Sequence, residues 1–228
     1  MSDIVIASAA RTPVGSFNGS FSDMSAADLG SIAIKEAISR AKIKTTDVSE
    51  VIMGQVLTAS CGQNPARQAS INAGIPNEIT AITINQVCGS GLRSIALGMQ
   101  SIMNGESEII VAGGQENMTQ APHCFHLRQT GKMGDAEMID SMIKDGIWDI
   151  FNGYHMGVTA ENVAEKWQIT RDQQDEMALN SQLKAEEAQK NGKFQKEIVS
   201  VPVQLKTGNV VIRDDEYPRH GCTLENLK

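Results

Sequence analysis

The sequence predicts an α/β fold for the first half of the chain, on three observations. Short apolar runs of strand length recur at residues 4–7, 51–53, 81–85 and 108–112. Between them lie segments whose apolar residues step by three and four, the spacing of one helix face. Glycine, proline or asparagine punctuates most of the junctions. Strands separated by helices of this length predict crossover connections and a sheet covered on both faces.

The elements follow in order. Ile4-Val5-Ile6-Ala7 is a candidate buried strand, closed by the turn-prone Arg11-Thr12-Pro13-Val14-Gly15. Ala27, Leu29, Ile32, Ala33, Ala37, Ile38 and Ala41 form a helical stripe, with Ser25 placed to cap it. Val51-Ile52-Met53 and Val56-Leu57 read as a second strand around Gly54, and residues 66–73 as a short helix stopped at Gly74-Ile75-Pro76. Ala81-Ile82-Thr83-Ile84-Asn85 is the third strand. A long helix follows, with Leu92, Ile95, Ala96, Met99, Ile102 and Met103 on one face and Asn104-Gly105 as its stop. Glu108-Ile109-Ile110-Val111-Ala112 is the fourth strand, broken by Gly113-Gly114.

The texture changes after about residue 118. Residues 119–153 are rich in glycine, methionine and polar residues without a clean period, and predict loops and short helices. One helix opens at Thr159-Ala160-Glu161 and runs to about Trp167. Another opens with the Thr170-x-x-Gln173 capping box and ends at Asn191-Gly192. Residues 197–212 alternate well enough for two strands joined across Lys206-Thr207-Gly208-Asn209. The division this predicts is a half-domain over 1–118 and a loop domain over 119–228.

Composition narrows the function classes. At 228 residues the chain exceeds the roughly 150 residues of a single typical domain, enough for a real core. A net charge of −7 argues against binding nucleic acid through phosphate contacts. Cys61, Cys88, Cys124 and Cys222 are too scattered for a disulfide miniprotein, and no C-x-x-C pair occurs. No basic stretch precedes the first apolar run, and no apolar stretch nears the ~20 residues of a membrane helix. A reduced, cytoplasmic protein without membrane or nucleic-acid partners is the expectation.

The most informative local feature is Asn85-Gln86-Val87-Cys88-Gly89-Ser90-Gly91-Leu92. It sets a cysteine between a strand and the start of a long helix, where free N–H groups and the helix dipole favour an anion. Gly89 and Gly91 leave room for a substrate to reach the backbone. Both traits suit covalent catalysis by a thiolate. The alternative is a buried cysteine acting as a small hydrophobe, with the glycines making a tight turn. Other motifs fail: the residues around Ser90 do not form G-x-S-x-G, and Gly89-x-Gly91 lacks the rest of a dinucleotide fingerprint. His123-Cys124-Phe125-His126 lacks a fourth ligand nearby, so no metal site is expected.

Ile84-Asn85-Gln86-Val87-Cys88-Gly89-Ser90-Gly91-Leu92-Arg93-Ser94 resembles the acylated-cysteine motif of the thiolases, the acetyl-CoA C-acetyltransferases. Further blocks resemble the family in its own order: Arg11-Thr12-Pro13-Val14-Gly15, Gly62-Gln63-Asn64-Pro65-Ala66-Arg67-Gln68-Ala69, Gly113-Gly114-Gln115-Glu116-Asn117-Met118, Tyr154-His155-Met156-Gly157 and Arg219-His220-Gly221. The wording around Gln63 and Met118 is nearer the biosynthetic, acetoacetyl-forming branch. The resemblance implies the N-terminal half of a thiolase-type condensing fold, a mixed sheet with helices on both faces, followed by an irregular α+β loop domain.

It also implies a chemistry. The Cys88 thiolate takes an acetyl group from acetyl-CoA, and its backbone N–H helps hold the tetrahedral oxyanion. A second acetyl-CoA then attacks as a carbanion to give acetoacetyl-CoA and CoA, and thiolysis is the reverse. Ile147, His155 and Met156 would line the pantetheine channel and Arg219 the nucleotide end. Read as residues alone, Ile147 and Met156 are core candidates, and Arg219 with His220 a solvated turn. CoA and acetyl-CoA are substrates, and no cofactor is implied. Residues 120–138 would form an assembly loop, and the family implies a homo-oligomer, dimer or tetramer.

The sequence also departs from the family. It lacks the N-E-A-F, G-H-P and C-x-G-G-G blocks, which in the family supply the Asn for an oxyanion-hole water, the activating His and the acid/base Cys. None of His123, His126, His155 and His220 stands in a matching context. The expectation is therefore one piece of a split or cleaved thiolase, active with a complementary C-terminal half. The alternatives are a non-catalytic CoA-binding or assembly module, and a relative of the decarboxylating ketoacyl synthases.

Overall fold

A computed structural model describes residues 3–126, 128, 133, 135–205 and 208–227. At its centre is a three-stranded parallel sheet of β1 (Glu50–Gly54), β2 (Thr80–Ile84) and β3 (Ile110–Gly114) in the order β2-β1-β3. Val51 stands opposite Ala81 on one side and Val111 on the other. As the middle strand, β1 is buried from Val51 to Gly54, which is why its apolar run is continuous.

One face of the sheet carries α1 (Ala26–Ala41) and α2 (Pro65–Asn72). Ser25 and Asp28 form a capping box at the start of α1, and Lys42 ends it in the left-handed conformation. Ala27, Ile34 and Ile38 of α1 pack with Val51 and Met53 of β1 and with Ala66 and Ala69 of α2 in the main core. A smaller core joins Phe21 and Leu29 to Val201 and Val203.

The other face carries α3 (Ser90–Met103), and here the structure departs from the sequence reading. The residues α3 buries are Ser90, Ser94 and Gly98, all small. A Cβ on Gly98 would meet Ile110 at 3.1 Å, so small residues let the helix lie close on the strands. The apolar stripe points away from the sheet, leaving Leu92, Ile95, Met99 and Met103 exposed. Helical periodicity marks a stripe but not which face meets the sheet.

Other expectations also need correction. Residues 4–7 form no strand; Val5 and Ile6 are each 75% exposed. The segment is held instead by Ser8, whose Oγ donates to the Ala37 carbonyl, and by Arg40, which donates to the Ala9 carbonyl. An apolar run becomes a strand only where an edge is offered to it. Among the described residues the main sheet is purely parallel rather than mixed, and Gly113 and Gly114 belong to β3 instead of breaking it. Val56 and Leu57 lie in a loop beyond β1.

The remainder is irregular, as the sequence predicts. β4 (His123–Cys124) pairs antiparallel with β5 (Ile139–Asp140), and β6 (Trp148–Asp149) with β7 (Tyr154–His155), separated by a wide helical turn at Met142–Ile147. Next come α4 (Met156–Trp167), which starts three residues before the expected Thr159, and α5 (Arg171–Lys190) with the predicted Thr170–Gln173 capping box. The antiparallel pair β8 (Val201–Leu205) and β9 (Gly208–Ile212) follows. Lys206 and Thr207 of the predicted turn, and part of the 120–138 segment, lie outside the described residues.

Two acidic neighbours tie the far end of the chain to its beginning. Asp215 accepts from the Arg11 guanidinium at 2.7 and 2.9 Å and from the Val14 N–H at 2.7 Å. Glu216 accepts from the Ser16 and Ser20 N–H groups and the Ser20 hydroxyl. Burial alone would raise the Asp215 carboxyl, but the Arg11 and Val14 hydrogen bonds and the Arg11 charge outweigh it and hold it below the ordinary carboxylate range.

Candidate active site

Cys88 sits on a tight turn between the end of β2 and the start of α3, and it is exposed. Within this chain it is therefore not a core cysteine. The turn is closed by the Gly89 N–H to the Gln86 carbonyl at 3.1 Å and the Ser90 N–H to the Val87 carbonyl at 3.1 Å. Two side chains brace it. Asn85 Oδ1 accepts from the Val87 N–H at 2.8 Å. Ser90 Oγ, almost fully buried, accepts from the Gln86 N–H at 2.8 Å and donates to the Val87 carbonyl at 2.6 Å.

Val87 has φ of +50°. A β-branched residue there clashes with its own backbone, at a cost on the order of 1–3 kcal/mol. Such a conformation persists only where its surroundings over-determine it, and the residue it aims is Cys88. The strand ends beneath the turn are equally constrained. A Cβ on Gly54 would stand 2.5 Å from Ser90 Cβ and 2.7 Å from the Ser90 carbonyl carbon. Glycine at this position lets β1 run directly under the start of α3.

The tail of β3 fastens the tail of β1. The Gln115 N–H donates to the Gly54 carbonyl at 2.9 Å, and the buried Gln115 amide donates to Gln55 Oε1 at 2.9 Å. The Glu116 carboxylate accepts from the N–H groups of Val56 at 2.8 Å and Leu57 at 3.2 Å. Burial pushes the Glu116 carboxyl above the ordinary range, more than these two hydrogen bonds pull it down. Sequence reasoning had no signal for Glu116, Asn85 or Ser90 as individuals, since a carboxylate that binds backbone N–H groups leaves no side-chain pattern.

The other expected site residues lie elsewhere. Ile147 ends the wide helical turn and is half-buried. His155 caps α4, its Nδ1 accepting from the Gly157 N–H at 2.9 Å. Met156 is the first residue of α4 and is exposed. Arg219 is exposed, its N–H donating to Gln182 Oε1 on α5, with His220 against Gln189 and the Gly221 N–H on Glu186. The structure thus places His155 and Met156 side by side. Among the described residues no hydrogen bond joins them, Ile147 or Arg219 to the Cys88 turn.

His123 approaches Asp140 at 3.8 Å across the β4–β5 pair, and among the described residues no three His, Cys, Asp or Glu gather as a metal site. A cavity of about 250 Å³ opens between α1, α2 and residues 117–122. It is lined by Gln55, Cys61, Gln68, Asn117 and Gln120 among others, with no charged side chain, and sequence reasoning did not anticipate it.

The fold and turn define an α/β protein that presents a cysteine at a strand-to-helix elbow. The family described as "Thiolase, N-terminal domain" matches residues 4–228, and the chain belongs to the thiolase family. It is 60% identical to an acetyl-CoA acetyltransferase of Rhizobium meliloti over 98% of this chain and 57% of that protein. It is 57% identical to an acetyl-CoA acetyltransferase of Paracoccus denitrificans over 100% of this chain and 58% of that protein. A cytosolic acetyl-CoA acetyltransferase of Rattus norvegicus is 54% identical over 98% of this chain and 56% of its own length. The chain therefore spans a little over half the length of these relatives.

Proposed function

We propose that the chain supplies the nucleophile half of an acetyl-CoA acetyltransferase, which condenses two acetyl-CoA to acetoacetyl-CoA and CoA and runs in reverse as thiolysis. The observation that carries this reading is Cys88, held exposed at the start of α3 by a strained and doubly braced turn. Its thiolate attacks the thioester carbonyl carbon of acetyl-CoA. The carbon–sulfur bond to CoA then breaks, CoA leaves as a thiolate, and the acetyl group stays on Cys88. The tetrahedral oxyanion that precedes this step is held by the Cys88 backbone N–H at the helix start.

The second half-reaction needs a base to remove the α-proton of the second acetyl-CoA, and a group to activate Cys88. Among the described residues no side chain hydrogen-bonds the exposed Cys88 thiol. We assign those roles to a complementary C-terminal half. The outward stripe of α3 supports this assignment, because Leu92, Ile95, Met99 and Met103 form an apolar face left exposed among the described residues. The same reading makes residues 1–118 a condensing half-domain and residues 119–228 a loop domain. Ile147, His155, Met156 and Arg219 become the CoA contacts, the assembly becomes a homo-oligomer, and the cytoplasm becomes its location. A net charge of −7 gives CoA, a polyanion, no general attraction, so a local cation such as Arg219 has to provide it.

The test is mass spectrometric. Incubation with acetyl-CoA leaves one acetyl group on the Cys88 peptide, slowly in the chain alone and faster with a C-terminal half present. Acetylation at Cys61 or Cys222 instead refutes the assignment. CoA binding without any acetylation in either setting favours the non-catalytic module.

A further inference from the structure

We infer that Glu116 is a positioning residue for Cys88: its carboxylate pins Val56 and Leu57, and so fixes the strand end on which the Cys88 turn is built. The inference deepens the proposed function and rests on Cys88 being the nucleophile.

The argument runs outward from the turn. Val87 does not hold φ of +50° unaided, so something must over-determine it. Ser90 braces Gln86 and Val87 from below, and Ser90 in turn rests directly on Gly54, closer than any Cβ would allow. The height of the turn is therefore set by where β1 ends. That end is held from two sides. Toward β2, the Gln55 N–H donates to the Ile84 carbonyl at 3.0 Å, and Asn85 Nδ2 lies 3.5 Å from the Val56 carbonyl. Toward β3, the Gln115 hydrogen bonds and the Glu116 carboxylate hold it.

Of these, only Glu116 brings a charge. Its two oxygens meet two consecutive N–H groups that have left the sheet ladder and would otherwise need other partners. The Val56–Leu57 peptide, whose N–H it grips, turns its carbonyl the other way toward Asn85 Nδ2, the same residue whose Oδ1 holds the Val87 N–H. A carboxylate in a largely buried place costs desolvation, and an amide or an apolar residue in its place would avoid that cost. The chain carries the carboxylate where it steadies the strand end beneath a strained turn, the arrangement that keeps a reactive side chain within a few tenths of an ångström of its working place.

The experiment uses the full chain and measures the iodoacetamide alkylation rate of each cysteine, peptide by peptide. Glu116→Gln offers an N–H₂ to one of the two backbone N–H groups, and is expected to change the Cys88 rate about tenfold relative to Cys222. Glu116→Asp keeps both acceptor oxygens and recovers at least half of that change on a logarithmic scale, which loss of bulk stability would not do. A Cys88-to-Cys222 ratio within twofold of wild type in Glu116→Gln overturns the inference. So does a Glu116→Asp chain no better than Glu116→Gln.

Amide hydrogen exchange in the wild-type chain needs no variant. Val56 and Leu57 are expected to open together with Gln86 and Ser90, and opening of Val56 and Leu57 at far lower free energy also overturns the inference. Alkylation does not depend on acetyl transfer. A Cys88 that is never acetylated by acetyl-CoA defeats the proposed function, whereas an unchanged alkylation ratio defeats only the role of Glu116.

Discussion

α1 and α3 lie on opposite faces of the same sheet and use it in opposite ways. α1 turns its large apolar residues inward, with Ile34 only 2% exposed, and builds the main core with β1 and α2. α3 turns serine and glycine inward and leaves Leu92 75% and Met103 62% exposed. Area removed from water is the chief source of stability, so α1 anchors the fold. Small residues allow backbone to approach backbone, so α3 gains precision instead. Its first turn lies against Gly54 and Gly114, close enough to hold Cys88 at a fixed height above the strand ends. One helix is the foundation and the other is the mount.

The comparison breaks first at Ile34. Ile34→Ala removes three buried carbons from the core and is expected to cost about 3 kcal/mol in urea unfolding. The Cys88 alkylation rate measured well below the midpoint should stay unchanged, because nothing at the turn touches Ile34. A loss below about 1 kcal/mol would mean that α1 is not the anchor.

The α1 side is reinforced by charge, and this gives the next largest effect. Asp215 holds the segment that leads into α1 through Arg11 and Val14. Asp215→Asn is expected to cost roughly 2 kcal/mol near neutral pH, since it weakens hydrogen bonds to a charged partner. The folded value of the Asp215 carboxyl lies below its unfolded one, so its contribution is fully present above the ordinary carboxylate range and is lost as pH falls through the folded value. Thermal melts of wild type and Asp215→Asn between neutrality and about pH 3 should therefore converge on acidification. Parallel curves would remove Asp215 from the account.

Much of this division was legible in the sequence and some was not. The cap at Ser25 and the capping box at Thr170 placed two helix starts to the residue, because a cap is a local hydrogen bond between neighbours in the chain. Strand runs at 51–53 and 81–84 and the placement of Cys88 before α3 followed from periodicity. The fate of residues 4–7 did not, because a strand is defined by its partner and an apolar run carries no record of which edge it meets. The orientation of α3 escaped for a related reason. Its stripe is apolar, but the residues that meet the sheet are Ser90, Ser94 and Gly98, whose small size only signifies once a neighbouring strand lies against them. Glu116 stands out in the sequence only as part of the Gly113–Met118 block, since its partners are the backbone N–H groups of Val56 and Leu57, sixty and fifty-nine residues away.

The smallest effect is the one that separates the two helices most sharply. Leu92→Ser exchanges a large apolar side chain for a polar one, a change that in a core would cost several kcal/mol. At 75% exposure it has little burial to lose, and the stability of the chain should move by less than about 0.5 kcal/mol. In the presence of a C-terminal half the same substitution should reduce complex formation, read by analytical ultracentrifugation, while Ile34→Ala at equal folded concentration should not. The proposed cover of α3 predicts this reversal of rank. If Leu92→Ser leaves association untouched, the apolar stripe has some other partner, and the reading of α3 as a helix between two layers must be given up.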